Sequence, residues 1–177
     1  MAITINGSGS ITGITTRLAD AAAPAGSVIQ VLQDVKSDQF TTDSNSPADV
    51  TGWSQAITTT GSNKVLVQVS CGMVSMLTGG QGAEIFLVRG STILALGDTD
   101  ASRTRVSASI NGASTYDVYS VSITYLDSPG AGSHTYKVQM ATQDSGTACI
   151  NRRGDDTTDS TNNQVSASTL TLMEIAV

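Results

Sequence analysis

The amino-acid sequence predicts an all-β protein, a β-sandwich or jelly roll with a short N-terminal β-hairpin arm. Three observations predict it. Ser, Thr, Gly, Asn and Val dominate the chain, and these are residues of turns and pleated strands rather than of helices. Short strand-like runs recur with Gly, Asp, Asn and Ser clusters between them. Several runs alternate apolar with polar side chains, the period of a strand with one buried face.

The chain divides into an arm and linker over residues 1–26 and a body over residues 27–177. In the arm, Ala2 to Ile5 and Ser10 to Ile14 flank Asn6-Gly7-Ser8-Gly9, a hairpin signal because Asn and Gly accept the positive φ angles of tight turns. Ile3, Ile5, Ile11 and Ile14 give it an apolar, almost uncharged surface. A lone hairpin is barely stable in water, so these four residues are expected to dock on a partner. Thr15 to Gly26 is Ala-rich and stops at Pro24, as a linker does.

In the body the expected strands are Val28 to Val35, Gln39 to Thr42, Gly52 to Thr58, Lys64 to Met73, Ala83 to Arg89, Thr92 to Leu96, Tyr116 to Leu126, His134 to Thr142, Thr147 to Asn151 and Gln164 to Val177. Val65, Val67, Val69, Cys71 and Met73 should share one face, and so should Tyr136, Val138 and Met140. By contrast, Ile85 to Val88, Ile93 to Leu96 and Leu170 to Val177 are apolar on both faces. A two-layer sandwich buries one face of each strand. Subunit contacts are therefore expected at Phe86, Val88, Leu170, Leu172, Met173, Ile175 and Val177. The pattern by itself supports an oligomer; three-fold symmetry is the expectation.

Composition excludes several function classes. At 177 residues, with 39% hydrophobic and 14% charged residues, the chain has room for one domain with a core. The net charge of −6 and the scattered placement of nine basic residues argue against nucleic acid as a main partner, because phosphate contacts need a clustered cationic face. No apolar run is long enough to insert in a membrane, and the N-terminus lacks a basic segment followed by an apolar core. Assembly in a host cytoplasm is the expectation. Cys71 and Cys149 form no CxxC or zinc-type cluster; they read as buried free thiols, with a disulfide left to the strand geometry.

Candidate chemistry is sparse. His134 is the only histidine and no GxSxG motif accompanies it, so a nucleophile and base pair is not expected; the chain reads as no enzyme, without cofactors. Asp155, Asp156 and Asp159 with Asn162 and Asn163 form an oxygen-rich loop, but the spacing is not that of a calcium loop and no metal site is assigned. Asp98 and Asp100 are treated alike. Arg153-Gly154-Asp155 matches a cell-adhesion tripeptide, and a Gly-centred turn explains it. Trp53, Tyr116, Tyr119, Tyr125 and Tyr136 are candidates for a sugar platform or for core and subunit contacts. Asp127 to Gly132 reads as a turn.

Three segments, Asp38-Gln39-Phe40-Thr41-Thr42, Val50-Thr51-Gly52-Trp53-Ser54-Gln55-Ala56-Ile57-Thr58 and Asn63 to Ser70, resemble the start of a domain found in tail-fibre and structural proteins of the virions of cyanophages and other aquatic phages. The resemblance continues in order through Leu87 to Thr92, Gly97-Asp98, Ser102 to Arg105, Tyr125 to Pro129, Thr135 to Gln139 and Ser168 to Ala176. It implies a jelly-roll-type β-sandwich, usually trimeric, displayed on a phage particle, with no ligand or catalytic residue. The arm here is short where many fibres have long shafts. The expected function is therefore a homotrimeric head-decoration (cement) protein bound to the major capsid protein by its arm. One alternative is a short tail fibre bound to a tail protein and touching the host surface; another is a viral carbohydrate-binding module for a host surface glycan.

Overall fold

The computed structural model describes residues 23–155, 161 and 163–177. The arm, including Ile3, Ile5, Ile11 and Ile14, lies outside the described residues. All regular structure among the described residues is strand. One sheet holds β1 (Val28–Lys36), β2 (Phe40–Thr42), β4 (Lys64–Met76), β8 (Val118–Asp127), β10 (Ala148–Ile150) and β11 (Ser168–Ile175). The other holds β3 (Ala48–Thr59), β5 (Gln81–Arg89), β6 (Thr92–Leu94), β7 (Ala108–Gly112) and β9 (Gly132–Thr142).

The pairings reveal how one chain makes both sheets. β1 pairs with β11, β3 with β9, β4 with β8 and β5 with β7, all antiparallel. These nested pairs are those of a single long hairpin. Rolling it up adds two further pairings, β4 with β11 and β5 with β9, which gives the sheets β1-β11-β4-β8 and β3-β9-β5-β7. This is the jelly roll, whose two sheets enclose one core. Short strands complete it: β10 continues the line of β11 along β4, with β2 beside β10, and β6 pairs with the end of β5.

Alternation puts Val65, Val67, Val69 and Cys71 of β4, Leu170 and Leu172 of β11 and Ile123 of β8 against Trp53 and Ile57 of β3, Ile85 and Leu87 of β5, and Tyr136, Val138 and Met140 of β9. Met73 departs from the expected face. A register shift between Cys71 and Val74 reverses the phase, as a bulge does, and Val74 and Met76 take over the core positions. Gly72 lies at this shift, where a Cβ would collide with the Ala167 carbonyl. β7 is a strand the sequence does not announce: in Ala108–Gly112 only Ile110 is a large apolar residue. Ser107 fixes its start, donating its N–H to Ile85 O (3.1 Å) and its hydroxyl to Leu94 O (2.7 Å) while accepting from Leu87 N (3.0 Å).

Three buried polar groups tie the roll together, each satisfied as burial demands. Asp127 on β8 accepts from Tyr136 Oη on β9 (2.7 Å) and from Arg89 on β5 (2.5 Å), joining the sheets at one end. At the same end Glu174, fully buried on β11, accepts from Gln30 Nε2 (2.6 Å), Asn63 Nδ2 (2.9 Å) and Thr60 N (3.0 Å). At the other end Asn151, buried with φ +61°, donates to Lys36 O (2.7 Å) and Asp38 O (3.1 Å) and accepts from Ser168 Oγ (2.7 Å).

The cysteines are free and buried. Cys71 points into the core, whereas Cys149 lies between the core residues Ala148 and Ile150 and faces the opposite side of the sheet. They cannot pair. Burial pushes the Cys71 thiol up to about 12 and raises Cys149 as well, Arg152 offsetting part of that. Neither thiol should react with a maleimide at neutral pH in the folded protein, and both should react in denaturant; fast labelling of either in the native state would contradict this packing.

Truncating Asp127→Ala strands Arg89 and the Tyr136 hydroxyl and should cost about 3 kcal/mol in urea unfolding. A loss under about 0.5 kcal/mol would show that the pair contributes little, as exposed pairs do. Burial, then the hydrogen bond to Asp127, raises the Tyr136 phenol above its usual value of 10.0. The unfolded chain therefore loses this proton first as pH rises. The stability involved is complete below about pH 10 and declines above it, a decline that Tyr136→Phe should reduce in the same titration.

Candidate interaction surface

In a two-sheet sandwich each strand has a face that the core does not reach, and the two outer faces are treated differently here. Over the second sheet the chain covers itself. Phe86 and Val88 on β5 and Ala141 on β9 form a small second cluster, capped by Ile93 and Val106. Phe86 and Val88, expected at a subunit contact, are thus buried within one chain. The segment after β6 that carries Val106 does the covering, and no strand pattern announces that return.

Leu170 and Leu172 are corrected in the same way. Both are fully buried between the sheets and have no surface to give to a neighbour. Their strand partners in the sequence, Met173 and Ile175, point outward and are half-buried. Val177, just beyond β11, is exposed.

The outer face of the first sheet carries a feature the sequence reading missed. Register places Val31 opposite Met173, Met173 opposite Leu66, and Leu66 opposite Leu126. The result is an apolar row across β1, β11, β4 and β8, edge to edge, with Val31 55% and Leu126 49% exposed. Val28, 53% exposed and paired with Ile175, widens it at one end. The next row is polar and uncharged, Gln33, Thr171, Gln68 and Thr124, with Gln33 Nε2 donating to Thr171 Oγ1 at 2.8 Å. Beyond it lie Val35, Thr169, Ser70 and Ser122. Lys64 at the corner is the one charged side chain in these rows; no acidic residue stands among them. The spacing of Val28, Val31 and Val35 hides the row in the sequence, because a register shift between Val28 and Gln30 breaks the simple alternation.

The remaining candidates are dispersed. Trp53 and Tyr136 are core residues and Tyr125 packs against the core, so the five aromatics make no common platform. Tyr116 and Tyr119 are exposed; Arg153 stacks over the Tyr116 ring, 5.2 Å from its centroid, and Tyr119 Oη donates to Asn111 O (3.1 Å). Arg153 is also paired with Asp155 and donates to Asn163 Oδ1 (2.7 Å). The Arg153-Gly154-Asp155 tripeptide is therefore closed on itself. At its centre, a Cβ on Gly154 would collide with Met76 O.

His134 Nε2 lies 3.1 Å from Gly130 O, across the turn between β8 and β9. Asp100 is paired with Arg103. Asp156, Asp159 and Asn162 lie outside the described residues, and among the described residues no three His, Cys, Asp or Glu side chains gather where they could hold a metal ion. No helix among the described residues is long and apolar enough to cross a membrane.

No family model matches the sequence, and no curated protein matches it. Among solved structures, one of infectious bursal disease virus Gx strain is similar over 86% of this chain and 37% of that chain, with 15% identity and a TM-score of 0.38. A crystal structure of dimeric latent PorU from Porphyromonas gingivalis is similar over 90% of this chain and 14% of that one, with 7% identity and a TM-score of 0.36. The chain spans little more than a third of the first of these and a much smaller part of the second.

Proposed function

We propose that this chain is a structural protein of a bacteriophage virion, a homotrimeric head-decoration protein held on the major capsid protein by the arm in residues 1–26. The observation that carries the structural reading is the uncharged apolar row from Val31 to Leu126. A sandwich that leaves such a face open is completed by another protein surface, since exposed apolar patches on soluble proteins mark contact sites. The choice of a phage particle follows the resemblance of the ordered motifs from Asp38 to Ala176 to virion proteins of aquatic phages. In this reading the chain is not an enzyme and uses no cofactor, and its work is mechanical: a closed roll with a covered second sheet, bound through one arm.

The arm supports the same reading by composition. Ile3, Ile5, Ile11 and Ile14 stand among small uncharged residues, which suits strand addition to a partner's sheet, where main-chain hydrogen bonds supply affinity and apolar side chains fill pockets.

Quantified protein content of purified particles tests the assignment: hundreds of copies per particle are expected. A few tens or fewer would move the chain to the tail as a short fibre, and absence from the particle would overturn the virion reading. Glu at both Ile3 and Ile11 should leave a folded body that no longer saturates particles lacking the native protein; full occupancy by that variant would remove the docking role from the arm.

A further inference from the structure

We infer that the outer face of β1, β11, β4 and β8 is the contact between copies of this chain, with the Val31 end of one copy's row against the Leu126 end of the next. The inference rests on the oligomeric reading above and supplies its surface.

Charge selects a second copy as the occupant. The chain carries −6 overall, so copies approaching through most of their surface bring carboxylates together. This face has none: its side chains are apolar or neutral apart from Lys64 at a corner. Two copies can meet there without like-charge repulsion. A nucleic acid finds no cationic row on it.

The row's shape selects the arrangement. It runs between two strands that each end the sheet, β1 and β8, with its most exposed members, Val31 and Leu126, at the two ends. Different ends meeting head to tail make a heterologous contact, and such contacts close into a ring when the rotation between copies is a whole fraction of a turn. Three faces turned to a common axis bring each Val31 beside a neighbour's Leu126 and shield Leu66 and Met173 in the middle. The ring also covers the β1 and β8 edges, which otherwise stay open to strand pairing.

Within one chain Val31 and Leu126 are three strands apart, about 14 Å at the usual strand spacing, beyond the reach of a disulfide. The double variant Val31→Cys with Leu126→Cys therefore reports only contacts between chains, and the native thiols are buried. Under mild oxidation the full chain carrying both changes should run as a covalent trimer on a non-reducing gel, while each single variant stays monomeric on the same gel. Cross-linking by Val31→Cys alone would mean a two-fold contact and overturn the ring. In light scattering, Val31→Asp and Leu126→Asp should weaken association by about a hundredfold or more, with the far-ultraviolet circular dichroism of the wild type retained. Ser91→Asp, in an exposed turn of the other sheet, should leave association unchanged.

Oligomers that persist in both Asp variants, together with no covalent trimer in the double Cys variant, would overturn the assignment of this face. A monomeric wild type would overturn it too, leaving the face to the chain's own arm or to a different protein. Neither result touches the virion reading, which is decided by the copy number on purified particles.

Discussion

Two sheets packed on one another have a single interior, and that interior accepts one side of every strand. All else in this molecule depends on that limit. The inner positions are filled in the ordinary way, by β-branched and long aliphatic side chains from both layers. The distinguishing choices concern the outer positions, where the chain had three options: leave a face polar, cover it with its own loop, or leave it apolar. It uses all three. Thr and Ser rows occupy much of the first sheet, the segment reaching Val106 roofs Phe86 and Val88 on the second, and the row from Val31 to Leu126 is left open.

A low charged content shapes the interior as well. With 14% charged residues, few ionic groups are available, yet Asp127 and Glu174 are buried. Each is surrounded by donors, in keeping with the large desolvation cost of a carboxylate that is not. Their placement is informative: both sit where strands end and the two layers must be held at a fixed separation. Asn151 does the corresponding work at the opposite end with backbone carbonyls and serine hydroxyls, and its left-handed backbone is a conformation that asparagine tolerates better than most residues.

Most strands were legible because a half-buried strand writes its period into the chain. β4 is the clearest case, with Val65, Val67, Val69 and Cys71 at every second position up to the bulge. Legibility failed wherever the cause lay far away in sequence. β7 forms because β5 offers it a partner and Ser107 seats its first residue, neither of which shows in Ala108–Gly112 itself. Phe86 and Val88 form an apolar outer face that the same chain covers through Ile93 and the later Val106, which looks identical in sequence to a subunit contact. The row on the first sheet was invisible for the converse reason: its four members come from four strands and belong together only through register. Two register shifts, at Val28/Gln30 and Cys71/Val74, change which residues face outward, and no alternation count detects a bulge.

The nesting of strand pairs also orders events in time. The innermost pairings, β5 with β6 and β7, join neighbours in the chain, whereas the outermost joins Val28 to Ile175. Contacts of long sequence separation form slowly, because the intervening chain must first be confined. β11 is also inserted between β1 and β4, so until it is synthesised both of those strands lack a neighbour and the first sheet is split in two. A growing chain thus holds an extending hairpin whose closure waits for β11, and the first sheet is joined only once that strand has been made.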